Sequence, residues 1–495
     1  MSKIRNKYFL TFGKSILESY AQARAVVASD LGSRRELVQH HKTGMLYQAR
    51  NVDELAAAIR FLRDQPEISN SMGQTGWQLV RDKYSQVSHF LALDKIYAKL
   101  ATKSKLIAPT NSKSLRIALL GGRGIIGKYS GVETCCEQIG SRLAQKGHIV
   151  TAYCRAYFTP NIAEHDGVRI ILLPTIRTKH LETFVHTLLS TIHACFGQCD
   201  IVHYQTLGPA LFSFVPRLFG KKTVVTVQGL DWRRQKWSWV ARQVLRAGEW
   251  ASTHFPNRTI VVSRALQERY LLHHSRLARY VPNGTTIRTR RSGLHLHQLG
   301  LKPDEYVLFL GRLSPEKNCH LLIEAFQDMP AKAKLIFAGG SSHTDAYVAS
   351  LNKRADSRVF FTGWLSGGAL EEVLTNAAVL VLPSDIEGLS LSLLDAMGAG
   401  ICVLASDILE NKEAIGGAGF LFKSGDVQDL RRMLTILLAN PDLRSIAAKK
   451  ARARVQENYL WDDVTAQTEK LYFDLMRDAP IGDLSPSVVP NSKAA

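Results

Sequence analysis

Short runs of consecutive apolar residues recur along most of the chain. Each is followed by a polar or glycine-bearing turn, then by a segment whose apolar positions lie three and four apart. Strand-length runs occur at LRIALL (115–120), IVTAYC (149–154), VRIILL (168–173), DIVHY (200–204), KTVVTV (222–227) and RTIVVS (258–263). A second series reads EYVLFLG (305–311), KLIFAGG (334–340), RVFFTG (358–363), AAVLVLPS (377–384) and ICVLAS (401–406). Strands that are apolar throughout are buried on both faces, and strands alternating with helices form parallel sheets covered on either side. The pattern therefore predicts an α/β protein with two doubly wound domains, 115–300 and 301–476, the second ending in a helix over 462–476. The Pro- and Ser-rich tail 477–495 is expected to be disordered.

The chain does not open on such a series. Residues 15–97 instead match residues 392–472. Ala28-Ser29-Asp30 corresponds to Ala405-Ser406-Asp407 at an offset of 377, and Glu36 to Glu413 at the same offset. After a two-residue gap the offset becomes 375, pairing Gly44 with Gly419, Pro66 with Pro441 and Tyr84 with Tyr459. One offset held over so long a stretch predicts that residues 1–100 are a partial copy of the later domain's end. The polar segment 101–114 reads as a linker.

Charge changes the picture in one region. The chain carries a formal net charge of +20. From Arg217 to Arg291 there are 16 Lys and Arg against three acids, with Trp232, Trp237, Trp239 and Trp250 among them. Cations are drawn to anionic lipid, and Trp settles at headgroup depth, so this segment suits an anionic membrane face. No helix-turn-helix, zinc-finger or RNA-binding signature accompanies it, so no nucleic-acid partner is expected. No apolar run reaches the roughly 18 residues of a transmembrane helix, and the start has no secretory signal pattern. Seven cysteines in 495 residues make no disulfide framework. Cys195 and Cys199 have no second ligand pair nearby, so no zinc site is expected. These features lead to an expected cytoplasmic location, peripheral at the inner face of a membrane.

Three segments carry candidate chemistry. GRGIIG (122–127) follows a strand and precedes a helix, as a phosphate-binding glycine loop does. The acid that a dinucleotide fold needs after the second strand is replaced by Cys154-Arg155, which disfavours NAD and leaves NADP only through Arg155. GRLSPEKN (311–318) puts Arg312 and Lys317 around a strand-to-helix turn, where a planar fork and a point charge suit a diphosphate. PSDIEGLSLSLLDAMGAG (383–400) holds Glu387 in a loop, Ser390 at a predicted helix cap and Asp395 eight residues after Glu387. Loop carboxylates and helix-start N–H groups together can hold sugar hydroxyls and phosphate.

These motifs, in this order, together with Tyr129-Ser130-Gly131 and Pro282-Asn283-Gly284, resemble glycosyltransferase family 4, whose members have the GT-B fold. The resemblance covers residues 114–476 and implies two facing Rossmann-like domains with a nucleotide-sugar donor between them. It implies that Arg312 and Lys317 neutralise the donor diphosphate and that Glu387 holds donor-sugar hydroxyls. Gly388, Leu389, Ser390 and Leu391 would contact sugar and phosphate through their backbone, and Asp395, where the family usually has Glu, would bind the ribose. Phe361–Gly363 would lie beside the base, and Gly124 and Gly127 would line the donor side of the glycine loop. Tyr129, Ser130, His203, Gln228 and Asp231 would face the acceptor. Gln228 stands where many relatives carry His. It cannot act as a base, but a retaining front-face transfer uses the departing phosphate as base. No Asp-x-Asp motif sits at a strand end, so no metal and no other cofactor is expected. The resulting expectation is a retaining hexosyl- or deoxyhexosyltransferase acting on a glycan or lipid-linked acceptor in surface-polysaccharide assembly. A non-catalytic nucleotide-sugar-binding scaffold is the alternative. The N-terminal copy has Glu18 where Asp395 stands, but Leu10 in place of Glu387 and no Arg/Lys pair.

Overall fold

Sixteen strands, eleven of them at the apolar runs, lie among the described residues of a computed structural model, which comprise 13–84, 88, 114–126, 130–178, 181–234, 237–292, 295–329, 333–342 and 344–477. The chain divides into two compact units, Met1–Ser112 and Lys113–Ala495.

The first unit has two parallel strands, β1 (Val26–Ser29) and β2 (Gly44–Tyr47), with helices Lys14–Ala21, Val52–Asp64 and Pro66–Leu79 around them. Its small core gathers Ile16, Tyr20, Ala28, Leu37 and Val38. Gly44 is required at the strand crossing, since a Cβ there would meet the Val26 carbonyl oxygen at 2.1 Å.

The second unit contains two sheets. In the first, β3 (Arg116–Leu120), β4 (Ile149–Arg155), β5 (Glu164–His165), β6 (Val168–Leu173), β7 (Ile201–Gln205), β8 (Lys222–Val227), β9 (Arg258–Val261) and β10 (Arg279–Tyr280) run in the order β10-β9-β8-β7-β3-β4-β6-β5. All neighbours are parallel except β5 and β6. The β5–β6 hairpin is absent from the sequence reading, because a two-residue strand leaves no periodicity. In the second sheet, β11 (Tyr306–Leu310), β12 (Lys334–Ala338), β13 (Val359–Gly363), β14 (Val379–Leu382), β15 (Cys402–Ser406) and β16 (Phe420–Phe422) run in the order β13-β12-β11-β14-β15-β16, all parallel. In both sheets the strand order turns back on itself beside the first strand, which opens a crevice at the carboxyl ends of the strands.

Two devices tie these lobes together. The first is the strap Pro282–Thr286. Asn283 Nδ2 donates to the Leu389 carbonyl at 3.0 Å, and the Thr285 N–H donates to the Tyr459 carbonyl at 2.7 Å. A Cβ on Gly284 would sit 2.7 Å from the Trp461 ring. The second is the final helix Trp461–Met476, which crosses back to the first lobe. There Arg142 Nε lies 2.7 Å from Asp462, Lys146 Nζ 2.5 Å from Glu469, and His148 Nε2 2.9 Å from the same carboxylate. Trp461, Val464, Leu471, Tyr472 and Leu475 of this helix belong to the core of the first sheet.

Candidate active site

Two helix starts meet at the crevice. One opens the helix Gly131–Gln145 after the glycine loop, and the other opens the helix Leu391–Gly398 after β14. A Cβ on Gly131 would lie 3.2 Å from Leu391 Cδ1, so the two N-termini face one gap, where their dipoles favour an anion. Ser130 and Glu133 form a reciprocal capping box. Ser390, by contrast, makes no capping side-chain bond and instead meets Ser392 Oγ at 3.0 Å. The expected cap at Ser390 is thus corrected: the first-turn N–H groups of that helix are left to another acceptor.

The charged residues come from both lobes. Lys317 Nζ bonds Glu387 Oε1, a pair whose side chains are 14% and 9% exposed. The turn that carries Lys317 is locked to the end of β14: Asn318 Nδ2 donates to the Pro383 carbonyl at 3.1 Å, and the Asp385 N–H to the Glu316 carbonyl at 3.1 Å. From the first lobe, the loop after β8 carries Asp231 and Arg234, 3.2 Å apart. This loop abuts the loop after β14 that carries Glu387. A Cβ on Gly388 would strike the Gln228 carbonyl oxygen at 1.8 Å, and one on Gly229 would lie 3.5 Å from Gly388 Cα. Only glycine allows this approach at 388.

Electrostatics link the same groups. Burial, and next the positive charge of Arg234, depress the Arg312 guanidinium to about 10, against the pull of Glu316, Asp231 and Glu387. Burial opposes the charge on Arg234 as well, but Asp231, then Glu316 and Glu387, raise it. The Glu316 carboxyl, buried at 4% exposure, is held below its usual range; burial acts the other way, and its own backbone N–H, Arg234 and Arg312 prevail. Arg234, Arg312 and Lys317 therefore stand with Asp231, Glu316 and Glu387 in one cluster. Arg234 and Glu316 escaped the sequence reading. The signal for Arg234 was the Arg233-Arg234 pair two residues after Asp231 in a strand-to-helix loop.

The other expected residues divide. Gln228 is half-buried at the mouth, its Nε2 3.4 Å from Gln205 Oε1. Gly363, at φ +69°, ends β13, and its carbonyl accepts from the Gly339 N–H at 2.8 Å. Phe361 stacks on Phe337 at 5.1 Å. Gly124 lies against Thr159, 2.3 Å from where a Cβ would stand. Gly127 and Tyr129 lie outside the described residues. Three expectations need correction. His203 is 2% exposed, and both ring nitrogens are engaged, Nδ1 at 2.6 Å from the Tyr472 hydroxyl and Nε2 at 2.7 Å from Thr226 Oγ1. Burial lowers it to about 3, so it is a neutral strut of the interior and not a cleft residue. Arg155 is 3% exposed and bonds Glu182 Oε1 at 2.5 Å and Thr183 Oγ1 at 3.0 Å, which removes it as a ribose-phosphate ligand. Asp395 Oδ1 accepts from Thr285 Oγ1 at 2.6 Å and sits 2.9 Å from Arg288 Nη1, so its carboxylate serves the interdomain strap in this state.

Comparison with known proteins adds to this geometry. The family described as "Glycosyl transferases group 1" matches residues 8–78 and 296–454. The one described as "Glycosyltransferase Family 4" matches residues 129–288. Among curated proteins, the O-antigen chain mannosyltransferase B of Escherichia coli is 27% identical over 173 residues, 34% of this chain and 45% of that protein. The sulfoquinovosyl transferase SQD2 of Arabidopsis thaliana is 33% identical over 168 residues, 32% of each chain. The chain thus spans less than half the length of these two relatives. Among solved structures, sucrose-phosphate synthase from Thermosynechococcus elongatus matches with a TM-score of 0.64 at 24% identity, over 73% of this chain and 99% of that one. Anabaena HepE, solved with UDP and glucose, matches with a TM-score of 0.63 at 19% identity, over 73% and 100%.

Proposed function

The chain belongs to glycosyltransferase family 4 and has the GT-B fold, and on that premise we propose that it is a retaining transferase carrying a hexosyl or deoxyhexosyl group from a nucleotide-sugar to a glycan or lipid-linked acceptor of surface-polysaccharide assembly. One observation carries the reading. Three cations from both lobes converge beside two helix N-termini at the carboxyl ends of the strands, with Arg234 close enough to depress Arg312. Burial and Arg234 leave the charge on Arg312 disfavoured in spite of the neighbouring acids, and an entering anion such as a nucleoside diphosphate relieves that. HepE was solved with UDP-glucose, which supports a donor of that class.

In the proposed reaction the bond from the sugar's anomeric carbon to the diphosphate breaks as the acceptor hydroxyl attacks the same face. Arg312, Arg234, Lys317 and the N-terminus of the helix at Leu391 stabilise the leaving diphosphate, whose oxygen takes the acceptor proton. Glu387, already beside Lys317, holds the donor-sugar hydroxyls. Asp395 binds the ribose only by sharing its carboxylate with Arg288. Gln228 and Asp231 meet the acceptor. Because these cations supply the positive charge that a metal would, transfer proceeds without one and in the presence of EDTA. The N-terminal unit is an inactive partial copy of the donor domain.

A nucleotide-sugar panel tests the reading. Slow release of nucleoside diphosphate from one donor, abolished in Glu387→Ala, is the expected result. Tight donor binding without release, acceptor included, would instead favour the nucleotide-sugar-binding scaffold.

A further inference from the structure

Amphipathic helices on a sheet bury their apolar stripe, and the helix Leu181–Phe196 packs on the first sheet. It buries one face, and a second apolar face is exposed: Leu181, Phe184, Leu188, Ile192 and Phe196, at spacings of three and four, all face outward. Phe196 is 77% exposed. The surface continues onto two neighbours. Phe196 meets Phe219 edge to face at 5.5 Å, just after the short helix Val215–Leu218, whose Leu218 is also 77% exposed. Phe214, before that helix, meets Phe255 at 5.1 Å, and Phe255 meets Trp250 at 5.4 Å. Trp250 belongs to the helix Trp239–His254, which also exposes Trp239, Val240 and Val244.

Monomeric proteins rarely expose so many contiguous large apolar side chains without a partner. Charge selects among partners. Across 181–196, 211–222 and 239–254 the acids are Glu182 and Glu249, and both are buried and paired, with Arg155 and Arg269. The same stretches carry Arg217, Lys221, Lys222, Arg242 and Arg246. We propose that this apolar, acid-free and cation-bearing face of the first lobe docks on an anionic lipid bilayer. Apolar side chains enter the headgroup boundary while the cations meet lipid phosphates. The inference rests on the membrane-side acceptor reading above and deepens it. It moves the contact from the Trp-rich segment as a whole to specific residues: Trp232 is not among them, since it donates to Glu249 Oε2 at 2.7 Å and lies under Arg246.

The test is flotation of the full chain with phosphatidylcholine vesicles, with and without phosphatidylglycerol. We expect flotation with the anionic vesicles, weakened by salt, and about a tenfold or greater loss in Phe196→Ser/Leu218→Ser, whose side chains are exposed enough to spare the fold. Ile446→Ser, a change at an exposed apolar residue on the second lobe, leaves flotation unchanged. Wild-type protein that stays with neither vesicle, or a double variant that floats as the wild type does, overturns the proposal. If the double variant instead turns a dimer into a monomer while neither floats, the face joins two copies of the chain. Release of nucleoside diphosphate in solution is read on the same samples. Lost flotation with intact release isolates this face, and absent release in floating wild type indicts the transferase reading alone.

Discussion

Arg234 belongs to the loop after β8 and Arg312 to the loop after β11, so the pair exists only once both lobes have folded and met. Removing either should weaken turnover more than binding of the acceptor. Arg312→Ala and Glu387→Ala are each expected to lower kcat/KM about 10²-fold or more, as loss of a preorganised charge at a developing anion does. Arg234→Ala should follow in the same direction, and Arg234→Lys should recover only part of the loss because it lacks the fork. Steady-state kinetics with the donor found by panel would show this. Equal kcat in Arg234→Ala and wild type would place that residue outside the reaction. His203 makes a different prediction. Its folded value lies near 3, below the ordinary 6.5, so the unfolded chain binds the proton more readily. Stability is then complete above about pH 6.5 and falls as the pH drops toward 3, by up to about 1.4 kcal/mol per pH unit from this group. Urea melts in this window should lose that slope in His203→Gln. The pH–rate profile should carry no step from His203. The sequence could show a His at a strand end. It could not show that a Tyr 269 residues later would reach its Nδ1.

Strands and their following loops were the most legible elements, since uninterrupted apolar runs and glycine turns are local signals. Arg312, Lys317 and Glu387 were readable for the same reason. What packs between elements was not readable. Asp395 looked like a free carboxylate on a helix, yet Thr285 of the strap and Arg288 just after it reach it from more than 100 residues away. Thr285→Val should therefore loosen the strap and raise the donor KM more than it changes kcat. The final helix offers a second test. Glu469 is held below its usual carboxylate value; burial works against this, and Lys146 and His148 prevail. A lowered acid stabilises the folded form above the ordinary carboxylate range and loses that contribution as the pH falls through its folded value. Glu469→Gln should cost about 1–2 kcal/mol at neutral pH, and the difference from wild type should vanish in acid. A pH series of thermal melts would measure it. The exposed stripe on the helix 181–196 was not legible either, because spacing reports that a face is apolar and not what covers it.

At the scale of the whole molecule, the two units differ in completeness. The second carries both sheets, the strap and the crossing helix, and every charged residue of the crevice. Protein lacking residues 1–110 is therefore expected to keep donor release and transfer within about twofold of full length, since surface changes remote from a site are close to neutral. Loss of activity in a folded, monodisperse truncation would give the first unit a part in the reaction.

In the first unit, β1 and β2 pair with Val27 opposite Met45 and Ala28 opposite Leu46. In the donor sheet, β15 and β16 pair with Leu404 opposite Phe420 and Ala405 opposite Leu421. At the offsets of 377 and 375 these are the same pairs. In that sheet the other edge of β15 is taken by β14, whereas among the described residues β1 has only β2 beside it. During synthesis the N-terminal pair emerges long before β15, so when β14 appears it meets a ready edge of matching register and must still wait for its own partner. The chain thus encodes a competitor for its own central strand. Refolding from urea should be slower and lower in yield for the full chain than for the truncation, and the deficit should shrink when β1 is broken by Val27→Pro.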